Sequence, residues 1–149
     1  ELEFYYDFNQ IKAEDLNQLS DLLKLTKDAL KGTMYGFIDL VFEQNGKFYI
    51  LDWKSNHLGN DLSNYSAAKL KKAMYDSDYH LQYFVYTVAL VRYLKQRMPN
   101  FDYDQHFGGV CYVYFRGVRK GTSSGIYFNK PSLEEYQLLE CSLLTNSIP

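Results

Sequence analysis

The sequence predicts an α/β fold, a central mixed β-sheet flanked by helices. Three observations carry that expectation. Two apolar strand-like runs, Met34–Glu43 and Phe48–Lys54, are separated only by Gln44-Asn45-Gly46-Lys47. A long helical stretch from about Tyr79 to Arg97 follows and stops before Pro99. A further apolar run, Gly109–Phe115, comes after it, so strands and helices are mixed along the chain.

Leu2–Phe8 is aromatic and alternating, which reads as a first strand. Ala13–Leu25 carries Leu16, Leu19, Leu22, Leu23 and Leu25 at helical spacing, with Glu14 and Asp15 in its first turn, where acids suit the helix dipole. Asn-Gly between two strand runs is a strong hairpin signal, because both residues accept positive φ. Asp61–Asp76 is polar and lysine-bearing and reads as a loop with a short helix, the segment least tied to a core. Ser77 or Asp78 can cap the long helix. Gly125–Asn129 reads as a short last strand, and Ser132 can cap a final helix from Leu133 to about Leu144.

The 149 residues suit one domain, 1–149. A hydrophobic share of 46% and a charged share of 23% exclude long disorder, collagen and coiled coil. Fifteen tyrosines and ten phenylalanines are a surplus of amphipathic rings that suits half-buried grooves. Net charge is −2, which excludes a simple basic nucleic-acid clamp. Residues 1–68 nevertheless sum to −5 and residues 69–149 to +3, a split compatible with a metal site beside a phosphate-binding surface or with an ordinary solvated face. Two cysteines, Cys111 and Cys141, are too few for a disulfide scaffold or an iron–sulfur cluster and read as buried thiols of a reducing compartment. No signal peptide or membrane-length apolar run is visible. The chain starts at Glu1 without an initiator methionine and reads as a piece of something longer.

The hairpin carries the chemistry. A two-residue turn at Asn45-Gly46 pairs Gln44 with Lys47, Phe42 with Tyr49, Leu40 with Leu51 and Asp39 with Asp52. Directly opposite residues share a face, and Lys54, two positions after Asp52, shares it too. Ile38, Leu40, Phe42, Tyr49, Leu51 and Trp53 then form the other face, which reads as core. Facing carboxylates on an apolar hairpin are costly, and two resolutions exist: one carboxyl stays protonated, or a divalent cation sits between them. Mg²⁺ takes one or two protein carboxylates and keeps its other positions for water and phosphate oxygens. A lysine beside it can stabilise phosphate charge or orient a water. Asp39, Asp52 and Lys54 thus have the composition of a phosphodiester-hydrolysing site. The competing reading is a structural ion cluster in which Lys54 neutralises one aspartate.

Gly36-Phe37-Ile38-Asp39-Leu40-Val41-Phe42, followed by Leu51-Asp52-Trp53-Lys54-Ser55-Asn56, resembles the D…(D/E)xK core of the PD-(D/E)xK nuclease superfamily, and within it the C-terminal nuclease domains of the RecB family. The likeness continues through Leu81-Gln82-Tyr83 with Tyr86, His106-Phe107-Gly108-Gly109-Val110, and Phe115-Arg116-Gly117-Val118, covering the chain from Glu1 to about Glu140. It implies a restriction-endonuclease-like core and an Mg²⁺-dependent exodeoxyribonuclease domain. Asp39 and Asp52 would ligate the metal, with the Trp53 carbonyl as a further ligand, and Lys54 would be catalytic. Gln82 and Tyr86 match the family's Q-xxx-Y motif and stand at i and i+4 on one helical stripe. The resemblance further implies a cytoplasmic bacterial helicase–nuclease that repairs double-strand breaks. Its partners would be single-stranded DNA ends from unwound duplex, RecC-like and RecD-like subunits and a RecA-type recombinase, with no membrane. The family also carries a metal-ligating histidine upstream of the first strand, which His57, His80 and His106 do not match, so weak metal binding and slow cleavage are expected here. Glu1 matches a family acid near the site. The alternative is a catalytically weak docking module for partner subunits or a recombinase.

Lys69, Lys71 and Lys72, and separately Arg116, Arg119 and Lys120, are candidate phosphate contacts, with solvated surface clusters as the default reading. Tyr65, Tyr75 and Tyr79 are candidates for stacking on unpaired bases. No Gly-rich phosphate loop, nucleophile elbow or zinc spacing is present, which gives no basis for ATP hydrolysis.

Overall fold

The computed structural model of the chain describes residues 2–8 and 32–143. Its strands are β1 (Leu2–Phe8), β2 (Gly32–Ile38), β3 (Leu40–Gln44), β4 (Lys47–Lys54), β5 (Phe107–Tyr114) and β6 (Ile126–Asn129). A 3-10 turn spans Leu62–Tyr65, and the helices are α1 (Ala67–Asp76), α2 (Tyr79–Arg97), α3 (Tyr103–His106) and α4 (Leu133–Leu143). The leucine-rich segment Ala13–Leu25 and Glu1 lie outside the described residues.

Asn45 and Gly46 both take positive φ, 53° and 77°, as the tight hairpin requires. The register follows from that turn: Gln44 pairs Lys47, Phe42 pairs Tyr49 and Leu40 pairs Leu51. β4 then runs parallel to β5, and β6 closes the mixed four-stranded sheet antiparallel to β5. A register shift between Phe48 and Tyr49 makes room for Gly108 on β5. A β-carbon on Gly108 would run into the Tyr49 ring, and Gly109 sits at φ 132°, so the glycine pair is a backbone requirement of this bulge.

Two expectations need correction. Met34–Glu43 is not one strand: the chain bends at Asp39, and β2 pairs with β1 in a separate two-stranded ribbon while β3 joins the main sheet. The two faces of the hairpin are also inverted relative to expectation. Leu40 and Trp53 are exposed and Phe42, Tyr49 and Leu51 only half-buried, whereas Ile50, Asp52 and Lys54 lie on the buried face. Of the residues expected in the core face, only Ile38 is fully buried. Both faces of this hairpin carry apolar side chains, so alternation alone does not say which one a helix covers.

The covering element is α2. Every residue from Tyr83 to Val91 is buried, because the helix has the sheet on one side and α1 and α4 on others. α1 contributes Leu70 and Met74 to the same core, and α4 contributes Tyr136 and Leu139. Ser132 and Glu135 cap α4 reciprocally: the Glu135 N–H donates to Ser132 Oγ at 3.1 Å and the Ser132 N–H to Glu135 Oε2 at 2.7 Å. The polar stretch after β4 is tied down through Tyr65, which is buried and accepts a hydrogen bond from the Leu58 N–H. Cys111 is half-buried and Cys141 exposed, so only the first fits the reading of a shielded thiol.

Candidate active site

The site forms where β3 stops and β4 continues. The antiparallel ladder that starts from the two-residue turn ends at the pair Leu40–Leu51, one residue short of Asp39 and Asp52. The chain turns away at Asp39, so β2 does not continue along the edge of β4. The carboxylate fills in: the Trp53 N–H donates to Asp39 Oδ2 at 3.1 Å. A strand residue points its N–H and C=O to the same side. The Trp53 carbonyl is therefore directed to the edge that holds Asp39, and Lys54 faces β5 instead, its carbonyl accepting from the Phe115 N–H at 3.3 Å.

Asp52 is 3% exposed and Lys54 7%, so the acid–base pair belongs to the core face beneath α2. The Lys54 ammonium lies 2.7 Å from Asp52 Oδ2. Apart from this ion pair, the buried oxygen has no hydrogen-bond donor among the described residues. Burial pushes the Asp52 carboxyl above the usual carboxylate range; Lys54 pulls it back and the nearby Asp39 charge adds to the rise.

α2 brings its polar stripe to the same point. Lys54 Nζ donates to Gln82 Oε1 at 2.8 Å, and the Tyr112 hydroxyl donates to the same oxygen at 3.2 Å. Gln82 Nε2 donates to the Tyr86 hydroxyl at 2.9 Å, which fixes the orientation of the amide from both ends. Burial, with the Asp52 and Asp39 charges behind it, pushes the Tyr86 hydroxyl up to about 12, so it stays protonated. Tyr86 is held from β1 by Phe4, whose ring meets it edge-on at 5.7 Å. Phe4 lies across Gly36, where a side chain would strike its ring.

All six sequence-predicted residues, Asp39, Asp52, Trp53, Lys54, Gln82 and Tyr86, thus meet at one junction of β3, β4 and α2. Other candidates fall elsewhere. His57 bonds Asn60, His80 stacks on Tyr75 and His106 closes α3 on Asp102. Tyr65 is buried and unavailable to a base, and Tyr79 lies over Lys54. Arg116 donates from Nε to the Ser55 carbonyl at 3.0 Å, at the rim of the site. Lys69, Lys71 and Lys120 are exposed, and Lys72 pairs with Asp76 along α1. Tyr112 was not among the predicted site residues. It pairs with Asp52 in the β4–β5 register, a parallel pairing with no turn to announce it.

Among the described residues no three carboxylate, imidazole or thiolate groups converge. The donors present are two carboxylates and a backbone carbonyl, all oxygen, and the one buried carboxylate oxygen among them is met only by the Lys54 ammonium among the described residues. That set fits a hard divalent cation that keeps most of its water.

The sequence matches the PD-(D/E)XK nuclease superfamily across residues 3–141. The chain belongs to that superfamily. Nucleases of this superfamily generally depend on divalent metal ions, in keeping with the all-oxygen donor set. Among curated relatives, it is 46% identical over 107 residues to the RecBCD enzyme subunit RecB of Haemophilus influenzae, covering 72% of this chain and 9% of that protein. It is 48% identical over 104 residues to RecB of Escherichia coli K12, covering 69% and 9%. The match to RecB of Buchnera aphidicola from Acyrthosiphon pisum is 35% over 142 residues, covering 89% and 12%. The chain thus spans about a tenth of the length of these relatives. No helix among the described residues is long and apolar enough to cross a membrane.

Proposed function

We propose that residues 1–149 form a single nuclease domain, one module of a RecB-type helicase–nuclease, and that it hydrolyses DNA phosphodiester bonds as an exodeoxyribonuclease. The observation that carries this reading is the junction of two carboxylates and a buried lysine at the edge where β3 ends, in a chain 46–48% identical to RecB proteins. The substrate would be single-stranded ends released from unwound duplex. RecC-like and RecD-like subunits would be its partners, a RecA-type recombinase a further one, and the bacterial cytoplasm its compartment.

Mg²⁺ is the ion that best suits this donor set, held by Asp39, Asp52 and the Trp53 carbonyl. Bound there, it would supply Lewis-acid activation of a water and neutralise charge on the scissile phosphate. The reaction adds water oxygen to phosphorus, breaks one phosphorus–oxygen ester bond and returns a proton to the leaving oxygen. Lys54 carries a fixed positive charge beside Asp52, suited to the extra negative charge on the phosphoryl oxygens in the transition state. Gln82 holds that ammonium by its carbonyl oxygen, and Tyr86 holds Gln82. Cleavage of linear single-stranded DNA with Mg²⁺, beside Asp52→Ala and Lys54→Ala, tests the reading. Cleavage only by the parent chain supports it; equal behaviour of all three would leave a docking module instead.

A further inference from the structure

Lys54 is buried with one carboxylate, and that carboxylate is the group a divalent cation would take. An ammonium left without its anion beside a dication would be repelled from the site, and its four-carbon stem would let it leave. The other contacts of Lys54 Nζ among the described residues are uncharged. They are Gln82 Oε1 at 2.8 Å, the face of the Tyr79 ring with its centroid at 3.8 Å, and the Tyr112 ring at 4.9 Å. The two rings lie 6.2 Å apart and inclined by 23°, with the ammonium close over Tyr79 and reaching the farther Tyr112 ring obliquely.

From these contacts we infer that Tyr79 and Tyr112 are positioning residues for the reaction, an aromatic cage that keeps the Lys54 ammonium at the scissile phosphate whichever cation Asp52 holds. The inference rests on the nuclease reading for its kinetic consequence but not for its geometry. Ring faces attract a desolvated ammonium without competing for the metal, which a third carboxylate would do. The fold fixes both rings. Tyr79 opens α2 directly after Asp78, a residue at φ 55°, and its hydroxyl donates to Asn56 Oδ1 at 3.2 Å, two residues beyond Lys54. Tyr112 is fully buried on β5 with its hydroxyl on Gln82. Tyr79 also precedes Gln82 by one helical turn, so the stripe that carries the glutamine carries the ring.

Two measurements test this. In the metal-free chain labelled with ¹³C-lysine, the ε-methylene protons of Lys54 should be shifted upfield by ring currents. The shift should persist in Tyr79→Phe and fall in Tyr79→Leu. In Mg²⁺-dependent cleavage of single-stranded DNA, Tyr79→Leu should lower kcat roughly tenfold, with KM changed less than about threefold, and Tyr79→Phe should restore kcat. An ε-methylene resonance of Lys54 at the position of an exposed lysine in the parent chain overturns the inference without any variant. A rise in KM at unchanged kcat in Tyr79→Leu overturns it too, since the ring would then be stacking on DNA. A parent chain that shows the ring-current shift but cuts no DNA defeats the nuclease reading and leaves the cage standing.

Discussion

Lys54 Nζ stands 2.7 Å from Asp52 Oδ2, both groups are buried, and that oxygen has no other donor among the described residues. Lys54 is thus the one cation paired with Asp52 among the described residues. Lys54 therefore occupies the place of a counter-cation for Asp52, and the two cations compete for one carboxylate.

Removing the ammonium exposes that competition. Lys54→Met leaves a buried carboxylate without its ion partner and should lower the stability of the chelator-treated protein by roughly 3 kcal/mol. Mg²⁺ should then raise the melting temperature of Lys54→Met more than that of the parent. Thermal denaturation with and without Mg²⁺ measures this, and an equal rise in both proteins contradicts it.

Gln82 accepts from two donors, Lys54 Nζ and the Tyr112 hydroxyl. Gln82→Met keeps the length of the side chain and takes this acceptor from both, leaving Lys54 Nζ to Asp52 and the Tyr112 hydroxyl to the Tyr79 carbonyl at 3.5 Å. The expected loss is roughly 1–3 kcal/mol of stability, read by urea denaturation, together with a fall in cleavage rate. A variant as stable and as active as the parent would remove Gln82 from the network.

Burial raises the hydroxyls of Tyr83, Tyr103, Tyr112 and Tyr136 above the ordinary tyrosine value, and that of Tyr86 to about 12. The unfolded chain loses these protons near pH 10 while the fold retains them. Stability is thus unaffected by them below pH 10 and falls as pH rises from 10 toward 12 and beyond. Phenolate absorbance should appear in two stages, the second together with loss of the circular-dichroism signal of the helices. One stage near pH 10 with the fold intact would contradict the burial of these rings.

Much of the fold was legible because single residues settle it. Asn45-Gly46 sets the hairpin register from Gln44–Lys47 to Leu40–Leu51. Ser132, three residues before Glu135, announces α4. The bend at Asp39 was not legible: the run from Met34 to Glu43 is continuously strand-like, and its break is made by tertiary pairing of β2 with β1. Nor was the buried face of the hairpin, since Leu40, Phe42, Leu51 and Trp53 are as apolar as Val41 and Ile50, and only the position of α2 separates them. In the site, acids and lysine stood out because charge on an apolar strand demands a reason. Tyr112 did not, and Tyr79 stood out only as a ring for stacking on bases, because tyrosine is common throughout this chain and a ring over a lysine leaves no spacing signature.

Trp53 gives the most direct test of the site. It is the only tryptophan in the sequence, its side chain is 53% exposed, it lies between Asp52 and Lys54, and its N–H is bonded to Asp39. Its fluorescence should change saturably when Mn²⁺ or Mg²⁺ is titrated into the parent chain. Asp39→Asn and Asp52→Asn should each weaken that binding by at least about tenfold, because both carboxylates hold one ion. If either substitution leaves the titration curve where it was, the two acids do not share a metal.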